Sequence, residues 1–195
     1  MKHFYSYKIL LIILFFFNIN TIAKSQDFEI SGFSLGMTLA DKLATNEIAQ
    51  GNYRKFYNSK YITTISFPKS TFFPDYDYTQ FSFKKKDKKQ KIINIEVVKN
   101  YKDNIAECFA KREKILNEIK EKYKKKIEFI DDIGTKPFNK SFGKKGTNTV
   151  TWIGLKGKKL VYVSCYNYAE SETSSVDQFR MGVNNSYFEK MAFKK

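Results

Sequence analysis

The sequence predicts an α+β fold in which two main helices pack on one face of an antiparallel sheet. Three observations carry that expectation. Apolar and polar residues alternate in several short segments, the pattern of strands with one buried and one wet face. A single stretch from about residue 104 to 123 switches to helical spacing. Beyond residue 25, no apolar run approaches the roughly 20 residues that a spanning helix needs.

The elements follow in order. Lys2, His3 and Lys8 make a basic start, residues 9 to 17 (ILLIILFFF) are unbroken apolar, and Asn18 interrupts them. Ala23-Lys24-Ser25 places small residues for cleavage before Gln26, so residues 1 to 25 have the three-part layout of a secretory signal. Nine apolar residues are too few for an uncleaved anchor. The mature chain, residues 26 to 195, is expected to be one exported domain without a transmembrane span, with halves 26 to 100 and 101 to 195 as its candidate subdivision.

Residues 30 to 37 (ISGFSLGM) read as a strand ending in a glycine turn. Thr38 caps a helix, with Asp41 at capping-box spacing, a stripe of Leu39, Leu43 and Ile48, and Gly51 at its end. Three alternating strands come next: Tyr61, Thr63, Ile65 and Phe67; then Phe81 and Phe83; then Ile93, Ile95 and Val97. Residues 68 to 77 form a turn-rich connection between the first two. A lysine run at 84 to 91 (KKKDKKQK) fills the hairpin loop between the second and third.

The long helix begins at Asp103. Its stripe is Ile105, Cys108, Phe109, Arg112, Ile115, Leu116, Ile119 and Tyr123, with Arg112 expected to snorkel from the edge. Four strands follow at 126 to 130, 149 to 155, 160 to 166 and 178 to 183, the middle two joined by the turn at 156 to 159. Residues 131 to 147 and 169 to 175 read as polar loops, and the tail from 186 as a short helix. Trp152, the only tryptophan, is assigned to the core by its strand position. Helix, strands, helix, strands is the order two similar halves would leave, although no residue-level repeat accompanies it.

Cys108 and Cys165 are the only cysteines, and an even pair in an exported chain reads as a disulfide. Cys108 faces inward from the helix, and Cys165 shares the inward face of its strand with Val161 and Val163. The bond would staple helix to sheet.

The formal charge is +15, and without the leader 32 basic residues stand against 20 acidic ones. Arg54, Arg112 and Arg180 are the only arginines. The excess of lysine reads either as background composition or as affinity for a polyanion. Lys84, Lys85, Lys86, Lys88, Lys89 and Lys91 form the candidate anion-binding loop. Strand alternation buries Phe81 and Phe83, which removes a stacking platform for single strands, so no nucleic-acid partner is expected. An anionic lipid or a cell-wall polymer suits the loop better.

The sole histidine is His3, inside the leader, so imidazole catalysis and histidine metal ligation are excluded from the mature chain. No Cys-x-x-Cys is present, and no metal or cofactor is expected. Ser-x-x-Lys occurs at Ser66/Lys69, Ser82/Lys85 and Ser141/Lys144, close to the roughly two occurrences that composition alone gives. Asp75, Asp77, Asp131 and Asp132 are the acids a glycosidase would have to aim across a cleft. Glu128 with Asp131 and Asp132 lacks the loop spacing of a calcium site.

Residues 30 to 43 (ISGFSLGMTLADKL), with Gly36-Met37-Thr38 at their centre, resemble the opening of the SmpA/OmlA (BamE-like) outer-membrane assembly lipoproteins and of β-lactamase-inhibitor-protein-like domains. That resemblance implies a non-enzymatic scaffold that binds protein or envelope partners. Ile48-Ala49-Gln50-Gly51 stands where the first family has Leu-Gly-x-Pro, and no cysteine follows the leader. The expectation is therefore a periplasmic or secreted envelope protein without catalytic activity. A basic module for anionic lipid or polymer, and a carboxylate-dependent glycan hydrolase, are the alternatives.

Overall fold

Alternation in the sequence becomes one sheet. The computed structural model describes residues 27–55, 59–69, 73–102, 104–139, 143–172 and 175–192. The leader and its cleavage point, Asp103 and Ser141 lie outside the described residues. A two-stranded ribbon, β1 (Glu29–Ile30) and β2 (Phe33–Ser34), precedes a 3-10 turn (Leu39–Asp41) and the one-turn helix α1 (Thr45–Ile48). Next come β3 (Asn52–Lys55), β4 (Ile62–Pro68), β5 (Tyr78–Lys84) and β6 (Asn94–Tyr101), then the long helix α2 (Ile105–Lys122). The chain ends with β7 (Ile127–Pro137), β8 (Gly146–Leu155), β9 (Lys159–Tyr168), β10 (Asp177–Asn185) and the helix α3 (Ser186–Ala192).

The eight strands β3 to β10 form one antiparallel sheet in the order β3-β4-β5-β6-β10-β9-β8-β7. Each set of four is a meander of sequence neighbours, and the two meanders join where β6 pairs with β10. The turn between β8 and β9 spans Lys156 to Lys158, with Gly157 at φ +84° and Lys158 at φ +58°, the left-handed region glycine enters without strain.

One face of the sheet holds the core. Ile65, Phe67, Phe81, Ile95, Val97, Ile153, Val161, Val163, Phe179 and Val183 are buried there at alternate strand positions. Phe33 and Phe73 pack against Phe81 with ring centres 4.9 and 5.8 Å away, closing the core beneath the amino-terminal ribbon. Helix α2 lies across β9 and β10 and buries Cys108, Arg112, Leu116 and Ile119. Asn104 caps it, its Oδ1 accepting from the Glu107 amide at 3.3 Å. Phe109 sits at the border of the stripe and remains 36% exposed.

Cys108 and Cys165 are joined, with sulfurs 2.04 Å apart, tying α2 to β9 across 57 residues of sequence. One helical turn further on, Arg112 does not snorkel. It is 4% exposed and reaches β7 and β8, where Nη2 donates to Asp132 Oδ1 at 2.9 Å and to the Thr151 hydroxyl, and Nη1 pairs with Glu113. Thr151 in turn donates to Asp132 at 3.0 Å. A carboxylate at the sheet's border gives the buried guanidinium a partner, which water would otherwise have to supply.

The packing of two main helices on one face is only partly realised. The amino-terminal helix is broken into the 3-10 turn and α1, although Asp41 and Glu47 each accept from the amide three residues back at 2.6 Å. Thr45 and Asn46 fall in the middle of the expected helix, and their side chains compete with helical bonding. Helix α3 sits on the other face. Its Phe188 and Ala192 cluster with Ile62 and Ile93, and Ile62 points away from Ile65 by strand parity. Beside that cluster a buried polar chain crosses three strands: Ser82 donates to Asn94 at 3.1 Å, and Asn94 to Asn184 at 2.6 Å.

Two outcomes are expected. Reducing the disulfide removes about 4 kcal/mol of loop constraint and lowers the thermal midpoint by on the order of 10 °C in calorimetry. For Asp132, partial burial raises the carboxyl pKa, but Thr151, the Gly134 amide and Arg112 outweigh it and hold the value below the ordinary one. A depressed folded-state value stabilises at neutral pH and is lost as pH falls through it. Asp132→Asn should therefore cost about 1 kcal/mol at pH 7, with solvent screening allowed for, and progressively less in acid as the carboxyl becomes protonated in the folded state too. Urea unfolding at pH 7 and in acid checks this.

Candidate functional site

The strand positions that do not serve the core make a second surface. The chain has 35 lysines and arginines, yet the outward positions of β4, β5, β6, β8, β9 and β10 hold one lysine, Lys84, beside α3. In place of lysine stand Trp152, Tyr162, Tyr166, Tyr168 and Arg180, with Glu96, Gln178 and Asn100 around them.

Strand register assembles the centre of this face. Gly182 on β10 lies opposite Tyr162 on β9 and Glu96 on β6, so the three positions form one row across three strands. The Tyr162 ring lies over Gly182, where an added Cβ would come within 2.6 Å of ring carbons. Glycine thus lets the ring cross the middle strand, and the Tyr162 hydroxyl donates to Glu96 Oε2 on the far side. The Arg180 Nη1 stands 3.6 Å from Glu96 Oε1, and its Nε and Nη2 donate to Gln178 Oε1 at 3.0 and 2.6 Å. Gln178 passes the chain on to Asn100 at 3.1 Å.

Aromatic contacts extend the network. The Arg180 guanidinium is 4.5 Å from the Tyr166 ring centre, a cation–π distance. Trp152 packs on Tyr162 with centres 5.3 Å apart, and Phe138 folds over Tyr166 and Tyr168 at 5.6 and 5.2 Å. Burial, then the Glu96 charge, pushes the Tyr162 hydroxyl well above its ordinary pKa. Burial works to lower the Arg180 value, but Glu96 and the surrounding tyrosines reverse this and hold it above its usual range. The face is therefore a rigid, hydrogen-bonded array with one compensated charge pair at its centre.

Trp152 belongs to this array and not to the core. Its neighbour Ile153 is the buried one, and successive strand residues face opposite ways. Parity with Val161, Val163 and Cys165 was the signal that would have placed Tyr162 and Tyr166 outward as well.

Lys84, Lys85, Lys86, Lys88, Lys89 and Lys91 are all exposed around the β5–β6 hairpin. Lys84, Lys85 and Lys86 border a cavity, whereas Lys88, Lys89 and Lys91 stand outside it. Of the candidate acids, Asp77 and Asp132 do not converge. Asp77 pairs with Lys99 at 3.6 Å beside β5, and Asp132 belongs to the Arg112 cluster on β7. Five strand spacings separate β5 from β7, about 24 Å along the sheet, far beyond a two-carboxylate reach. Ser66 and Ser82 sit within β4 and β5, donating to Asn52 and Asn94. Among the described residues no cluster of three acidic, cysteine or histidine side chains is placed to hold a metal, and no helix is long and apolar enough to cross a membrane.

Comparison of the chain with protein-family models, with curated proteins and with solved structures finds no match.

Gly182→Ala should displace the Tyr162 ring and break its bond to Glu96, destabilising the fold by about 1–3 kcal/mol. Trp152, the sole tryptophan and a neighbour of Tyr162, reports this as a change in emission, while the far-UV spectrum is preserved.

Proposed function

We propose that the protein is a non-enzymatic envelope protein, exported to the periplasm or secreted, whose open sheet face docks a folded protein partner. One observation carries the reading: a lysine-rich chain keeps lysine off the middle of this face and places Trp152, Tyr162, Tyr166 and Arg180 there. Protein interfaces are enriched in tryptophan, tyrosine and arginine and depleted of lysine, and their strongest contacts come from those three enriched types. The bonds among Tyr162, Glu96, Arg180 and Gln178 fix the side chains in advance, so little rotamer freedom remains to be lost on binding.

Export is supported by the basic and apolar leader pattern of residues 1 to 25 and by the paired cysteines, which persist in oxidising compartments. Two meanders, each preceded by helix, meeting at β6 and β10 are what two related halves would leave. They agree with the likeness of residues 30 to 43 to β-lactamase-inhibitor-protein-like domains, which act by binding.

The test places a photo-crosslinking residue at Tyr78 or Trp152 on the sheet face, and at Lys114 or Lys120 on the solvent side of α2, in cells of the source. The sheet positions should yield one common adduct that the helix positions lack. With that partner purified, Trp152→Ala should weaken binding by roughly 30-fold, about 2 kcal/mol, and Lys114→Ala should leave it unchanged. Identical adducts from both sides, or none from the sheet, would overturn the reading.

A further inference from the structure

At the β5–β6 hairpin, Lys60, Tyr61, Lys84, Lys85, Lys86 and Tyr187 surround a cavity of about 600 Å³. Three parts of the chain build it. The Lys85 amide donates to the Tyr61 carbonyl at 2.8 Å, joining the hairpin to the segment before β4. Tyr187 comes from α3, and the Lys84 ammonium stands 4.4 Å from its ring centre. Tyr61 and Tyr187 both pack against the Ile62, Ile93 and Phe188 cluster, so the walls rest on buried structure.

The charges here are only partly compensated, by one carboxylate among four lysines. Asp87 also lines the cavity, but its Oδ1 accepts from the Lys89 amide and its Oδ2 from the Lys91 amide, both at 3.0 Å. That carboxylate is occupied in shaping the turn. Among the described residues, no carboxylate lies within ion-pair distance of Lys60, Lys84, Lys85 or Lys86, whereas Lys99, Lys144 and Lys159 each have one. Four lysines against one carboxylate leave the hollow with a net positive charge that an anion would offset.

We propose that this cavity binds a phosphate monoester carrying an organic group. A phosphate monoester bears between one and two negative charges near neutrality, which suits several ammonium groups better than a single carboxylate does. Lysine is a recognised point-charge binder of phosphate. The volume falls within the range of small-molecule sites and far exceeds bare phosphate. The rings of Tyr61 and Tyr187 and the lysine stems offer apolar wall to the organic part. This site is separate from the docking face of β8 to β10.

The test uses the full mature chain and three probes: phenyl phosphate, inorganic phosphate, and phosphatidylcholine vesicles containing a phosphatidic acid. The triple variant Lys84→Ala, Lys85→Ala, Lys86→Ala is compared with Lys120→Ala, Lys124→Ala, Lys125→Ala, which removes equal charge from exposed positions at the end of α2. Calorimetry should show phenyl phosphate bound more tightly than inorganic phosphate. The hairpin variant should weaken it by about tenfold or more, the control variant by less than about twofold. Tyr187→Leu should erase the preference for the phenyl ester. Vesicle binding with the same dependence on the hairpin lysines identifies a lipid head group as the source; binding of the soluble ester alone identifies a free metabolite. Equal losses in the two triple variants, or no binding of any probe by the parent, would overturn the proposal.

Discussion

Helix α2 is held to one face of the sheet at two adjacent turns, by the Cys108–Cys165 bond and by the contact of Arg112 with Thr151 and Asp132. Everything about the opposite face depends on this attachment. Cys165 lies on β9, and a strand residue commits its neighbours to the other side. Fixing Cys165 inward therefore fixes Tyr162 and Tyr166 outward. A register slip by one residue would exchange the faces and break both the disulfide and the tyrosine array. The covalent bond and the aromatic surface are two readings of a single strand.

The outward face carries a local conflict with a visible resolution. Glycine weakens a strand interior, and Gly182 sits in one of the two central strands. Its missing side chain is replaced by the Tyr162 ring laid over it from β9. The ring restores packing above the backbone and carries its hydroxyl to Glu96. Arg180 can then stay charged between Glu96 and Tyr166. The same logic keeps lysines at the margins, on the hairpin and the solvent side of α2, where their ammonium groups remain hydrated.

Much of this was legible in the sequence where one physical rule acted alone. Alternation located Ile62–Pro68, Tyr78–Lys84, Asn94–Tyr101 and the four strands after α2, the first of them only at its start, and helical spacing located α2 itself. The opposed inward faces of Cys108 and Cys165 were readable from those two periods together. Legibility ended where rules competed. The edge strand β7 runs on to Pro137 through Asp131, Asp132 and Gly134, because two bulges let an exposed strand carry residues that read as a loop. Strand position alone reads Trp152 as core, whereas parity with the buried Ile153 turns it outward. The β6–β10 pairing, which joins the two meanders, spans too much sequence for any local pattern to record. The row of Tyr162, Gly182 and Glu96 exists only once that pairing is made.

The cavity at the hairpin and the aromatic array share a face but not a field. Lys84 and Tyr162 are three strands apart, β5 to β9, and about four residues apart along the strand direction. At usual spacings that is roughly 20 Å, more than two Debye lengths at physiological salt, about 8 Å each. Charge gathered at the corner is therefore largely screened at the array. Communication between the two would have to be mechanical, and the path available is short: α3 lines the cavity through Tyr187 and follows directly from β10, which carries Arg180 and Gly182. The Asn184 side chain on β10 is bonded to Asn94, which is bonded to Ser82. That buried polar chain ties β10 to β5 between the two sites and resists relative movement. The fold thus separates a charge-balanced aromatic array from a cationic corner by stiffness as well as by distance.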